Sequence, residues 1–394
     1  MIAESCPACA GTDLRHFHKE TGVPSHSCLL LASQAEAARF PQGTIDLAFC
    51  RSCGFITNTA FDQGLNQYST QYEETQAFSP TFQAFATELA GAWVEKYDLY
   101  GRCVLEIGCG KGEFLVAMCE EGAGQGIGID PGVRPERIDS AAADRLTWIQ
   151  DLYSERYSFL AADAIVCRHT LEHIQPVADL LRDIRRSIGH RLDTVVLFEL
   201  PDVLRVLREV AFWDVYYEHC SYFSAGSLAR LFRSTGFDVL DIRLDYDDQY
   251  LLIEARPSHP SGSVGEAFPI EEEVAVLEAA VDHFEQGYRE TVDRWRDELE
   301  ALQSTGGRSV IWGAGSKGVA FLSALGDAET IEYAVDINPY KHGMYMAGTG
   351  QKIVAPTFLK EYEPELVVVM NPVYVDEIAG SLRALDLAPR LVAV

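Results

Sequence analysis

Three groups of residues in this chain have the types and spacing to do chemistry. The densest is Phe212-Trp213-Asp214-Val215-Tyr216-Tyr217-Glu218-His219-Cys220-Ser221-Tyr222-Phe223-Ser224. His219 can take a proton near neutral pH, and a neighbouring carboxylate such as Glu218 can orient it or raise its pKa. The phenols of Tyr216 and Tyr222 can donate to an oxyanion forming on a substrate carbonyl. The same composition also suits an aromatic core segment with one buried histidine. The second group is Leu105-Glu106-Ile107-Gly108-Cys109-Gly110-Lys111-Gly112, followed by Gly126-Ile127-Gly128-Ile129-Asp130. An apolar strand runs into a glycine-dense turn, a helical pattern follows, and a second strand ends on an acid. This order lets a ligand approach the first turn closely and offers Asp130 to a ribose diol, so an adenosine-containing ligand is expected. The third group is Cys6-Pro7-Ala8-Cys9 with Cys50-Arg51-Ser52-Cys53-Gly54. Two such knuckles complete a tetrahedral four-sulfur shell with no open position, so a structural metal is expected. Zinc is the first candidate and mononuclear iron the second. His16, His18, His26 and Cys28 lie between the knuckles as possible substitute ligands.

The elements that must position these residues fall into three regions. Residues 1–75 hold the paired cysteines. From 76 to 256 strand and helix patterns alternate, with strands expected at 104–107, 126–130, 146–149, 164–167, 194–200, 239–244 and 250–255. The last two read as a hairpin, and the whole as a mostly parallel sheet. Region 257–394 opens with a linker composition at Pro257-Ser258-His259-Pro260-Ser261-Gly262-Ser263 and a long amphipathic helix expected over about 270–303. A second α/β unit then starts at Ser309. The sheet places further candidates at its carboxyl edge: Asp151 after the third strand, where a carboxylate can meet an adenine amino group, and His169 after the fourth. Glu172 and His173, next along the chain, read as surface or capping residues.

The C-terminal unit carries Gly313-Ala314-Gly315-Ser316-Lys317-Gly318 with Asp336 ending the following strand. Alone this is a dinucleotide fingerprint, so an NAD- or nucleotide-binding protein without methyl transfer is one reading. Alternatively Gly315 and Lys317 at a helix N-terminus hold a diphosphate, with Asn371 on the same edge.

At 394 residues the chain exceeds one ordinary core, and 47% hydrophobic content supports globular packing. The formal charge of −27 argues against nucleic acid and anionic membranes as partners. The N-terminus shows no signal pattern and no apolar run approaches a membrane span, so a soluble, cytoplasmic protein is expected, monomer or dimer.

The Glu-x-Gly-x-Gly-x-Gly turn (Glu106, Gly108, Gly110, Gly112) resembles the S-adenosylmethionine signature of class I methyltransferases. Tyr216-x-Glu218-His219-x-x-Tyr222-Phe223-Ser224, behind a four-cysteine region, resembles the sugar C-methyltransferases of deoxysugar biosynthesis, and the resemblance covers essentially the whole chain. It implies a zinc domain, a class I methyltransferase Rossmann-like core and a second Rossmann-like α/β domain, in that order. It also implies that Tyr216, Glu218 and His219 surround a nucleotide-linked keto-sugar together with a tyrosine ahead of the core, Tyr72 or Tyr68. Carbon methylation through an enolate follows, with O-methylation as the alternative. Two positions depart from the family pattern. Tyr217 stands where the family usually has histidine, and Asp247-Asp248-Gln249-Tyr250 where it tends to have a glycine-rich turn.

Overall fold

In the computed structural model, residues 4–66, 72–259, 265–326 and 330–394 are described, and Tyr68 lies outside them. The central sheet contains all seven expected strands, in the order Phe237–Asp245, Tyr250–Pro257, Val195–Pro201, Ala164–Arg168, Cys103–Ile107, Gln125–Ile129, Leu146–Ile149. Only Tyr250–Pro257 runs antiparallel to its neighbours. Its partner Val195–Pro201 is buried from Val195 through Leu200, the continuous apolar run of a strand covered on both faces. Strand order reverses between Cys103–Ile107 and Ala164–Arg168, and ligands of open α/β sheets bind outside the carboxyl ends at such a point.

The C-terminal sheet is parallel throughout, in the order Lys352–Val354, Tyr333–Val335, Ser309–Trp312, Leu366–Val369, Arg390–Ala393. The N-terminal sheet joins Leu14–Pro24, Gln42–Cys50 and Ile56–Asn58 to Ser221–Tyr222. That last strand belongs to the aromatic motif, with Ile56 opposite Tyr222 and Thr57 opposite Ser221. The motif is therefore held in register by residues from the other end of the chain.

The long helix spans Val274–Ser304, starting four residues later than the pattern suggests. Its buried stripe includes Leu277, Val281, Phe284, Val292, Trp295 and Leu299. Phe284 meets Phe17 edge-on at 6.2 Å, and Trp295 meets Phe321 at 5.3 Å. One apolar core thus runs from the N-terminal sheet past Phe212 to the C-terminal unit. Among the described residues no helix is long and apolar enough to cross a membrane.

Candidate active site

A cleft of about 1220 Å³ lies where the three regions meet, and residues from all of them line it. At one end is the glycine loop after Cys103–Ile107. Gly108 has φ +70°, and a Cβ there would sit 2.0 Å from Thr170 Oγ1, so only glycine fits against the neighbouring turn. Asp130 accepts from Gly110 N at 3.1 Å and Gly132 N at 2.6 Å, which ties the loop to the second strand. Its oxygens retain lone pairs for ribose hydroxyls. Glu106 lines the cleft; burial raises its pKa to about 8, and its buried Oε2 has no hydrogen-bond partner. That orphaned oxygen fits a ligand that brings a donor. Lys111, inside the loop and 3% exposed, donates to Tyr72 O at 2.6 Å, Glu74 Oε2 at 3.2 Å and Gly132 O at 3.2 Å. It fastens the segment carrying Tyr72 and Glu74 onto the loop.

Asp151 and His169 also line this end. Burial disfavours a charge on His169, but Glu199, 2.7 Å from Nε2, and Glu172 overcome it and raise the pKa to about 9. Arg168 holds the same Glu199 through two bonds of 3.0 and 2.9 Å. Gly112 does not line the cleft. A Cβ there would meet Trp148 at 2.5 Å, so this glycine serves packing between helix and strand.

At the other end Tyr216 Oη lies 2.8 Å from His219 Nε2, and both line the cleft. Burial, followed by the like charges of His173, His169 and Lys317, holds the His219 pKa well below 6.5. Tyr72 lines the cleft with its ring 5.1 Å from that of His26. Three motif residues face elsewhere. Glu218, fully buried, does not assist His219: its carboxylate accepts from His26 Nδ1 at 2.8 Å and from Ser27 Oγ, since the chain turns it toward the N-terminal region. Tyr222 lies in the strand paired with Ile56 and its hydroxyl reaches Tyr216 O at 3.4 Å, so it supports Tyr216 and does not line the cleft. Ser224 caps the helix Ala225–Ser234 in a reciprocal arrangement with Ser227. Tyr217, the departure from the family pattern, packs where a Cβ on Gly43 would lie 2.1 Å from its ring, and accepts from Asp62 N at 2.8 Å. It too faces away from the cleft.

Glu172 and His173 correct the surface reading. Leu171–His173 is a 3-10 turn, the helix Val177–Ile188 begins only beyond Pro176, and Glu172 is 2% exposed. Both residues line the cleft beside His219, with Glu172 Oε1 4.0 Å from its Nε2. The signal was their place, four and five residues past the end of a strand at the switch point.

The C-terminal unit closes the cleft with Gly315, Lys317 and Asn371. Lys317 Nζ pairs with Asp214 Oδ1 at 3.0 Å and reaches Gln249 Oε1 at 3.4 Å. Gln249 in turn donates to Asn371 Oδ1 at 2.9 Å. Asp336 accepts from Ala314 N at 3.1 Å, Asn338 N at 2.8 Å and Lys341 Nζ at 3.0 Å. Asp336 thus accepts three donors from its own domain, against two for Asp130.

Cys6, Cys9, Cys50 and Cys53 converge, with sulfurs within 4.8 Å of one another. Cys6 and Cys53 are 3.7 Å apart, Cys9 and Cys50 3.6 Å. A tetrahedron with metal–sulfur bonds of about 2.3 Å has edges of about 3.8 Å, so the residues fit a four-thiolate metal. A disulfide would need a separation of about 2.05 Å.

Residues 72–242 match the methyltransferase domain family, and residues 250–388 match the C-methyltransferase C-terminal domain family. The chain is similar to the C-methyltransferase NovU of Streptomyces niveus, at 24% identity over 89% of this chain and 85% of that protein. It is also similar to the ribosomal protein L11 methyltransferase of Pectobacterium atrosepticum, at 29% identity over 26% of this chain and 37% of the relative. Among solved structures, the magnesium protoporphyrin IX methyltransferase of Synechocystis PCC 6803 with bound S-adenosylhomocysteine aligns at 15% identity and a TM-score of 0.36, over 45% of this chain and 84% of that one. With a methyltransferase domain, an attached C-methyltransferase C-terminal domain and similarity to a C-methyltransferase along nearly its whole length, the chain is an S-adenosylmethionine-dependent methyltransferase.

Proposed function

We propose that the enzyme methylates a carbon beside the carbonyl of a nucleotide-linked keto-deoxysugar, through an enolate. The observation that carries this reading is convergence: Tyr72, Tyr216 and His219 share one cleft with Gly108 and Gly110 on one side and with Gly315 and Lys317 on the other. The similarity to a C-methyltransferase over most of both chains supports carbon as acceptor. S-adenosylmethionine, when bound, supplies an electrophilic methyl group. His219 removes the α-proton. Burial keeps its imidazole neutral, so a lone pair is available. Tyr216, hydrogen-bonded to Nε2, and Tyr72 donate to the enolate oxygen. Glu218 acts at one remove, fixing the segment through His26 and Ser27. The cleft walls bring acceptor carbon and donor to near-attack distance, about 3–3.5 Å, which is where most of the acceleration arises. The diphosphate rests at the N-terminus of Ser316–Leu325, where Lys317 exchanges Asp214 for phosphate. Zinc in the four-cysteine shell is structural.

The purified enzyme, S-adenosylmethionine and a panel of nucleotide-linked 4-keto-deoxysugars in heavy water provide the test, read by mass spectrometry. Methyl gain together with deuterium in unreacted sugar is expected. Methyl gain without exchange would move the acceptor to oxygen, and neither on any member would remove keto-sugars as substrates.

A further inference from the structure

We infer that Glu172, His173 and His219 form a binding site for a divalent transition-metal cation on the wall of the cleft. One carboxylate oxygen and one ring nitrogen from each histidine lie within 4.8 Å of one another. Two imidazoles and a carboxylate are a donor set for Zn²⁺, Co²⁺ or Fe²⁺, and three protein ligands leave a coordination position open toward the cleft. The shell contains no sulfur, which separates it from the four-cysteine site.

The independent observation is Glu172 itself. Both of its carboxylate oxygens are buried and lack a hydrogen-bond partner, although the residue lines the cleft. A buried carboxylate in this condition is costly until it meets positive charge or donors. The nearest imidazole nitrogens stop short of hydrogen bonding: His219 Nε2 at 4.0 Å and His169 Nδ1 at 3.8 Å, both from Oε1. His169 is already committed to Glu199 at 2.7 Å. His173 is set up as a ligand. Its Nδ1–H donates to Glu218 O at 3.1 Å, a backbone carbonyl of the kind that usually orients a metal-bound histidine. Tyr216 must turn its proton away from His219 Nε2 for the cation to enter.

The lone pair on His219 Nε2 cannot hold a cation and accept a proton at once. Occupancy therefore inhibits turnover if His219 is the base. That consequence rests on the function proposed above; the binding itself does not.

The test is a Co²⁺ titration of the full-length enzyme, with its four-cysteine site already filled, followed by visible absorption beside the Glu172→Gln variant. One equivalent of Co²⁺ should bind with d–d bands and no thiolate charge-transfer band. Glu172→Gln should weaken that binding at least tenfold, while stabilisation by S-adenosylhomocysteine, which reports folding, stays unchanged. No added equivalent, a thiolate charge-transfer band, or equal binding by Glu172→Gln would overturn the site. Turnover in the same titration should fall at least tenfold as the bands grow. Bands with unchanged or increased turnover would uphold the cation site and remove His219 as the base.

Discussion

His219 and His169 line the same cleft, and their neighbours separate them. Burial depresses His219, helped by His173, His169 and Lys317 and against the Glu172 carboxylate 4.0 Å away, whereas the carboxylates of Glu199 and Glu172 lift His169 to about 9. His169 is thus charged through neutral pH while His219 is neutral. A base acts when unprotonated, so lowering its pKa extends activity toward acid. kcat/KM measured from pH 5 to 8 should stay level down to pH 6.5 and fall only below it; an acid limb above 6.5 would remove His219 from the proton step. The stability linkage has the same sign. The unfolded histidine protonates near its ordinary value of about 6.5 and the folded one only lower, so this group weakens the fold as pH drops below that value. His219→Asn should abolish turnover while leaving S-adenosylhomocysteine affinity, by calorimetry, nearly intact.

At the scale of elements, the hairpin between Phe237–Asp245 and Tyr250–Pro257 turns through three consecutive left-handed residues, Tyr246, Asp247 and Asp248, at φ +53°, +57° and +55°. This turn delivers Gln249 into the cleft, between Lys317 and Asn371. A left-handed non-glycine residue costs roughly 1–2 kcal/mol, less for aspartate, and glycine gives back about 0.5–1 kcal/mol in entropy. The exposed Asp247→Gly substitution should therefore raise stability slightly, by about 0.5 kcal/mol, in urea unfolding. A loss above about 1 kcal/mol would mean that the carboxylate holds the turn. Where the family resemblance leads one to expect a glycine-rich turn, the side chain that reaches the cleft here is Gln249. The departure at Tyr217, in contrast, is settled by packing against Gly43 and touches no part of the cleft.

Across the whole molecule, the cysteine knuckles, the N-terminal sheet and the Tyr216–Tyr222 segment form one mechanical path. Cys50 ends the strand Gln42–Cys50, which pairs with Ile56–Asn58, which pairs with Ser221–Tyr222. Asn58 N and Thr57 Oγ1 both bond to Cys220 O, at 2.9 and 3.1 Å, next to His219. Cys50→Ser should cost about 3 kcal/mol, lowering Tm by roughly 4 °C in a chain of this length, and should reduce turnover more than S-adenosylhomocysteine affinity. Equal losses in both would place the influence of the cysteine cluster on the whole fold and not on this path.

The knuckle spacing, the glycine turn with its acid one strand later, and the seven-strand alternation were all legible in the chain, because each is a local pattern of spacing and periodicity. The four cysteines, Glu106, Gly108, Gly110 and Asp130 take their places from such patterns. The segment 214–222 has no period, and its order of polar and aromatic residues is silent on which face the cleft. Pairing of Ser221–Tyr222 with Ile56–Thr57, about 165 positions away in the chain, turns Tyr216 and His219 inward and Tyr217, Glu218 and Tyr222 outward. The burial of Glu172 among histidines and the pairing of Lys317 with Asp214 were decided the same way. Each depends on where a distant element packs, and no local spacing encodes that.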